Sequence, residues 1–289
     1  MTDWQALASM LEPAASAVRA TPLAGGDINR AYRLDTAASR YFVKLNRAEL
    51  EPMFVAERHG LQAIRASAAI RAPEVYLTGR LESEAFIVME YIELGGHIDA
   101  ERLARGLAAM HACSAAQFGF ELDNTIGSSP QPNPLSDDWT AFWREHRLGF
   151  QLRLAERNGL DAGLLEGGRE LAAGLERFFA GYRPRPSLLH GDLWSGNQGA
   201  DAAGDPVIFD PACYYGDHET DLAMMELFSN PGARFFAVYA EHFAIDPGYA
   251  ERRELYNLYH ILNHANLFGG GYVASAKRSI ERLLARLRA

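Results

Sequence analysis

His190-Gly191-Asp192-Leu193-Trp194-Ser195-Gly196-Asn197 decides how this chain is read. Asp192 stands two residues after His190, and Asn197 five residues after Asp192. That spacing suits a loop that handles phosphoryl transfer. Asp192 is placed to accept the proton of an attacking hydroxyl, and Asn197 to fold back onto a metal ion held by nucleotide phosphates. A second ligand candidate, Asp210 in Ile208-Phe209-Asp210-Pro211, follows 18 residues after Asp192. Mg²⁺ takes oxygen ligands and keeps several waters, so one carboxylate, one amide oxygen and phosphates suffice. A lone H-G-D arises readily by chance. The bland reading, a hydrogen-bonded loop in which Asp192 only caps turns, has to explain three coincident positions. His190 reads as a packing residue rather than a second base.

Upstream, residues 1–92 read as a strand-rich unit with one helix. Short strands are expected at Arg30 to Leu34 and Arg40 to Leu45, a helix at Glu51 to Ala66, and strands at Val75 to Thr78 and Phe86 to Tyr91. The last strand is nearly all apolar, which suits a central position. Gly95-Gly96 breaks the pattern, and residues 93–289 turn helical. Asp99 is placed to cap a helix running to Ala112, with Leu103, Leu107 and Met110 on one face. Further helices are expected at Trp139 to Arg157, Ala162 to Phe179, Glu219 to Phe228, Ala233 to Phe243, Tyr249 to Leu267 and Tyr272 to Leu287. Phe118 to Asp137 shows no periodicity and reads as a long loop.

Three features of the first unit fit a nucleotide. Lys44 sits among apolar residues in Phe42-Val43-Lys44, where the bland reading is a solvated edge-strand charge. Glu57, however, lies on the apolar stripe Phe54, Leu61, Ile64 of the next helix, and a carboxylate there needs a charged partner. Lys44 and Glu57 match the strand-lysine and helix-glutamate pair that positions ATP in kinases. Gly25-Gly26 before a strand is either an ordinary turn or, one hairpin ahead of Lys44, a loop whose backbone N–H groups cover phosphates. Met89, Glu90, Tyr91 and Ile92 form the expected hinge, with the Glu90 C=O and Ile92 N–H offered to adenine. His260 and His264, four apart on a helix, have metal-ligand spacing but lack the Glu of H-E-x-x-H, so they read as core or pocket lining.

The 289 residues carry a net charge of −9 and show no Lys/Arg-rich run, which argues against nucleic acid or an anionic membrane as partner. The first residues lack the look of a signal peptide, and no apolar run approaches the length of a bilayer span. The two cysteines, Cys113 and Cys213, make no disulfide framework. A cytoplasmic enzyme is the expectation, and oligomeric state is not legible.

The sequence resembles the fructosamine kinase family, the ketosamine 3-kinases of the aminoglycoside phosphotransferase-like branch of the kinase fold. The resemblance is carried by the 190–197 loop, by Ile208 to Met224, by Phe118-Gly119-Phe120 with Asp123 to Gly127 and Pro130 to Asn133, and by Leu262 to Tyr272. It covers nearly the whole chain, with His218 standing where the family more often has Arg. It implies an α+β, bilobal protein-kinase-like fold that uses ATP and Mg²⁺ to phosphorylate the C3 hydroxyl of ketosamines, free or protein-bound. It also implies acceptor-side roles for Trp194, Asp217 and His264. Alternatives are a phosphotransferase of the same fold acting on an aminoglycoside or amino alcohol, and a non-catalytic nucleotide-binding module.

Overall fold

The structure, a computed structural model, describes residues 2–24, 28–228 and 230–288. Gly25 and Gly26, the expected phosphate loop, lie outside the described residues. The first lobe is an antiparallel sheet of β1 (Arg19–Leu23), β2 (Arg30–Asp35), β3 (Arg40–Arg47), β4 (Val75–Leu81) and β5 (Glu84–Glu90), in the order β1-β2-β3-β5-β4. β5 therefore lies between two strands, as its apolar run requires.

Strand alternation divides two cores. Tyr41, Val43, Leu45, Phe86 and Val88 face outward onto α1 (Trp4–Leu11), where Leu7 is fully buried. Ala85, Ile87 and Met89 face the other way, onto α2 (Glu51–Ala66), in a core continuous with the large lobe. Lys44 and Phe42 share that inner face because they alternate with Val43. The sequence reading did not anticipate α1 or β1. Asp3 caps α1, its Oδ1 accepting from Ala6 N at 2.9 Å.

The large lobe packs α3 (Ala100–Ala112), α6 (Ala162–Ala173), α7 (Glu219–Phe228), α8 (Gly232–His242), α9 (Tyr249–Phe268) and α10 (Gly271–Arg288) around buried Trp143, Phe142 and Tyr256. The helix expected from Trp139 to Arg157 forms as α4 (Trp139–Phe142) and α5 (Gly149–Arg157), joined by a π-type turn at Trp143–Leu148. The expected long loop holds a hairpin, β6 (Asn124–Ile126) and β7 (Ser129–Gln131), turning at Gly127 with φ +61°. Alternation fails to mark it because each strand is only three residues long. β8 (Ser187–Leu189) pairs with β11 (Tyr214–Gly216), and β9 (Gln198–Ala200) with β10 (Pro206–Ile208), so the 190–197 loop is bounded by two small antiparallel ribbons. Among the described residues no helix is long and apolar enough to cross a membrane.

The outer face of the sheet depends on α1 for its cover. Leu7→Ala should lower stability by about 2–4 kcal/mol, the usual cost of truncating a buried leucine. Urea unfolding measures this, and a loss below about 0.5 kcal/mol would show that α1 merely rests on the surface.

Candidate active site

Lys44 Nζ donates to Glu57 Oε1 at 2.7 Å and also to the Asp210 carboxylate. Burial alone would push the lysine pKa down, but Asp210 and Glu57 outweigh it and the net shift is upward. Glu57 is pushed up by burial and pulled back by Lys44. The cluster joins three elements because α2 lies tightly against the segment after Asp210. A Cβ on Gly60 would stand 3.1 Å from Cys213 Sγ and 3.3 Å from Pro211 Cγ. Asp210 itself adopts φ +57°, a left-handed conformation that Asp tolerates better than most side chains.

The loop around Asp192 is built by backbone contacts. Gly191 has φ +82°, and a Cβ there would lie 2.1 Å from the Ala212 carbonyl, so only glycine fits the H-G-D turn. His190 is fully buried. Its Nε2–H donates to Phe209 O at 2.9 Å, and its Nδ1 accepts from Asp192 N at 3.2 Å. It is thus a neutral packing group, its pKa lowered chiefly by burial. Asn197 donates through Nδ2 to the Asp192 carbonyl at 2.8 Å and to Asp192 Oδ2 at 3.1 Å, leaving its Oδ1 free for other partners. Burial pushes the Asp192 pKa up to about 7, opposed by the Asn197 hydrogen bond and reinforced by Asp210 and Asp221.

Asp221 on α7 holds this loop and was assigned no role from the sequence. Its Oδ2 accepts from His190 N at 2.7 Å and its Oδ1 from Gly191 N at 2.9 Å. His111 Nε2 lies 3.2 Å from Oδ2, while His111 Nδ1 is 2.7 Å from the Tyr239 hydroxyl. An acid leading directly into the apolar run Leu222-Ala223-Met224-Met225 was the available signal. Burial pushes the Asp221 pKa up, but His111 and the backbone donors overcome this, and the net shift is down.

Lys44, Glu57, Asp192, Asn197 and Asp210 line one cleft of about 930 Å³ together with Met89, Glu90, Tyr91, Ile92, Trp194 and His264. The volume suits a nucleotide and a small acceptor. At the hinge Glu90 N donates to Glu74 O at 2.8 Å, and the Glu90 carboxylate accepts from Arg71 at 2.8 Å. Gly95 and Gly96 are more than a break. Both N–H groups reach Ala200 O, and a Cβ on Gly96 would fall 2.0 Å from the Asp201 carbonyl. At the other end Trp194 folds over Gly196, where a Cβ would be 2.3 Å from the indole ring.

The loop read as 118–137 forms part of the wall through a network that spacing does not reveal. The buried Arg147 guanidinium lies 4.0 Å from the Tyr214 ring centre and donates to Pro132 O at 2.8 Å and Asn133 Oδ1 at 2.6 Å. Gln131 accepts from the Tyr259 hydroxyl at 2.6 Å and donates to Asn124 Oδ1 at 2.8 Å, and Asn124 in turn reaches Cys213 O at 2.7 Å.

One expectation needs correction. Asp217 does not reach the cleft. It is fully buried in the large lobe and accepts from the hydroxyls of Tyr182 (2.9 Å) and Tyr256, so it ties α9 to the loop at Tyr182 rather than touching an acceptor. His218, which stands where the resembled family more often has Arg, is buried against Phe243 and Tyr239 and likewise stands away from the cleft lining. His260 and His264 do not pair on a metal. His264 Nδ1 donates to His260 O at 2.8 Å, and among the described residues no group of three or more His, Cys, Asp or Glu is placed to hold an ion by itself.

Replacing Asp221 by Asn leaves one oxygen acceptor where the backbone supplies two donors. Asp221→Asn should cost about 3–5 kcal/mol of stability and lower kcat more than the KM of either substrate. The ionised Asp221 has a depressed folded-state pKa. Its stabilisation is present above the ordinary carboxylate pKa of about 3.9 and lost as pH falls through the lower folded value. Acid unfolding should therefore begin at higher pH in less stable variants that keep Asp221, whereas Asp221→Asn should lose this acid-sensitive component. An Asn variant with wild-type stability and kcat would remove the anchoring role.

Comparison with known proteins agrees with this geometry. A family model described as fructosamine kinase matches residues 2–286. A probable ketoamine kinase from Synechocystis sp. is 46% identical over 91% of this chain and 89% of its own length. A chloroplastic protein-ribulosamine 3-kinase from Oryza sativa subsp. japonica is 44% identical over 92% of this chain and 79% of its own. The crystal structure of a candidate fructosamine-3-kinase from Haemophilus somnus superposes with a TM-score of 0.89, at 27% identity, covering 97% of this chain and 96% of that one. An aminoglycoside phosphotransferase complexed with ADP and hygromycin B superposes at 0.64 with 19% identity, which establishes a shared bilobal kinase-like fold. From loop, cleft and kinship together, the chain belongs to the fructosamine kinase family.

Proposed function

We propose that this chain transfers the γ-phosphoryl group of ATP to the C3 hydroxyl of ketosamines, adducts of the ribulosamine and fructosamine type, free or protein-bound. The observation that carries the proposal is the convergence of Asp192 with the Lys44–Glu57–Asp210 cluster in one cleft of a fructosamine-kinase chain. We take residues 1–92 as the nucleotide lobe and 93–289 as the catalytic and acceptor lobe, acting in the cytoplasm.

In this reading Met89 to Ile92 receive the adenine, with the Glu90 C=O and Ile92 N–H at its edge. Lys44, held by Glu57, grips the phosphates. Asn197 Oδ1 and the half-exposed Asp210 carboxylate fit a Mg²⁺ site of one amide and one carboxylate oxygen, completed by phosphates and water. Bound there, Mg²⁺ neutralises phosphate charge. Asp192 takes the proton from the ketosamine O3–H. The O3–P bond forms as the bond from phosphorus to the ADP oxygen breaks. A phosphate at C3 makes the adduct prone to eliminate it, and hydrolysis then frees the amine, which is a deglycation repair. Trp194 packs on the sugar.

The acceptor end also bears on the main alternative. Aminoglycosides are polycations and call for an acidic wall. Among the described residues, the lining carboxylates are Glu57 and Asp210 on Lys44, Glu90 on Arg71, and Asp192 alone beside the acceptor. That charge pattern disfavours a polycation.

A panel of acceptors with ATP and Mg²⁺ tests the proposal. A lysine-linked ketosamine should be phosphorylated on C3 oxygen, with aminoglycosides and choline nearly inert. The reverse preference would overturn the substrate while leaving the kinase chemistry. Asp192→Asn should lower kcat about 10²–10⁴-fold with little change in ATP affinity. Lys44→Met should impair ATP use, and Asp210→Asn should raise the Mg²⁺ requirement. Because the base must be ionised and its pKa is about 7, kcat/KM should fall with pH below that value and level off above it. A profile flat down to pH 5 would deny Asp192 this role.

A further inference from the structure

The wall of the cleft beyond Asp192 is aromatic. Trp194 meets Phe228 (ring centres 6.3 Å apart), Phe228 meets His264 (5.0 Å), and His264 meets Phe268 (5.7 Å) and Tyr272 (5.0 Å). All five line the cleft, and Trp194, Phe268 and Tyr272 are exposed at 39%, 57% and 37%, too open for a strip built only as core. The neighbouring amides are already committed. Asn263 donates to Ile126 O at 3.2 Å and accepts from Gln151 at 3.2 Å, while Asn124 is tied to Gln131, Asn133 and Cys213.

His264 differs from them. A backbone carbonyl can only accept, so the 2.8 Å contact to His260 O fixes the hydrogen on Nδ1. In the neutral imidazole the lone pair then sits on Nε2, which has no partner among the described residues. This wall thus offers ring faces and one nitrogen acceptor, with no carboxylate. Ring faces attract a cation through their quadrupole, and they do so best where water is partly excluded.

We infer that this strip is the site of the ketosamine's protonated secondary amine. His264 Nε2 accepts its N–H, the faces of Phe268 and Tyr272 flank it, and its alkyl chain leaves along the exposed rings. The inference rests on the ketosamine reading. Four bonds separate the C3 oxygen from the amine nitrogen, so an adduct with O3 at Asp192 places its amine within a side chain's reach, and Trp194 follows Asp192 by two residues. The charge pattern selects one cation on an alkyl chain. It is suited to a lysine adduct and gives a polycation nothing further to pair with.

The experiment compares two acceptors in the full chain with ATP and Mg²⁺: the ribose ketosamine of Nα-acetyl-lysine, and the same adduct acetylated on its linking nitrogen, which keeps the C3 hydroxyl but loses the charge. Wild type should show a lower KM for the charged adduct. Phe268→Leu/Tyr272→Leu, at two exposed positions, should raise that KM about 5–30-fold. The KM of the acetylated adduct, the ATP KM and kcat should stay within about twofold. His264→Leu should raise the charged adduct's KM roughly tenfold or more, and His264→Gln, which restores an acceptor, should recover most of it. Equal losses on both adducts, or no wild-type preference for charge, would reduce the strip to shape packing and overturn the inference alone. Wild type inert toward both adducts while phosphorylating another alcohol would overturn the ketosamine reading and this inference with it.

Discussion

The Lys44 ammonium, held between Glu57 and Asp210, is the constraint on which the rest of the structure depends. Its three members come from a strand and a helix of the small lobe and from the large lobe. Burying an ammonium costs several kcal/mol unless its partners are close and oriented. The cluster is therefore a weak source of stability and a strong source of position. It sets α2 against Pro211 and Cys213, which the missing side chain of Gly60 permits. It also leaves two carboxylates sharing one cation, so neither is committed to Lys44 alone.

Positioning of Asp192 is a separate problem, solved by a different acid. Asp221 takes up the backbone N–H groups of His190 and Gly191, and His111 with Tyr239 holds Asp221 from behind. The 190–197 loop has little regular secondary structure of its own, and its backbone donors must find partners in the fold. The anchor is worth more as geometry than as binding energy. It keeps Asp192 beside Asn197, in a site dry enough to raise its pKa to about 7.

The two ends of the cleft contrast in chemistry. Toward the hinge the lining is apolar strand and linker, suited to a flat base. Toward the acceptor it is aromatic, and its amides are occupied in holding the β6–β7 hairpin. Arg147 is the post for that hairpin. Its guanidinium is buried against Tyr214 and Phe142 and bonded to the loop's carbonyl and amide oxygens, which is how an irregular segment becomes a fixed wall.

Most of the candidate site was legible in the sequence because it rests on residue type at short spacing. His190 to Asn197 and Asp210 span a few turns of chain, and Lys44 with Glu57 follows from one strand and the stripe of the next helix. Helix and strand positions were legible for the same local reason, including the central place of β5. The short helix α1 was missed although Asp3, Trp4, Leu7 and Leu11 carry its cap and period, since eight residues give periodicity little to act on. What the tertiary structure alone decided lies across long stretches of chain. Asp221 reaches a loop thirty residues away, Arg147 braces a hairpin, and Asp217 turns inward to Tyr182 and Tyr256 although it follows Asp210 closely in sequence. A local pattern states which groups a segment can present. Which of them face the cleft depends on how distant elements pack, and no spacing encodes that.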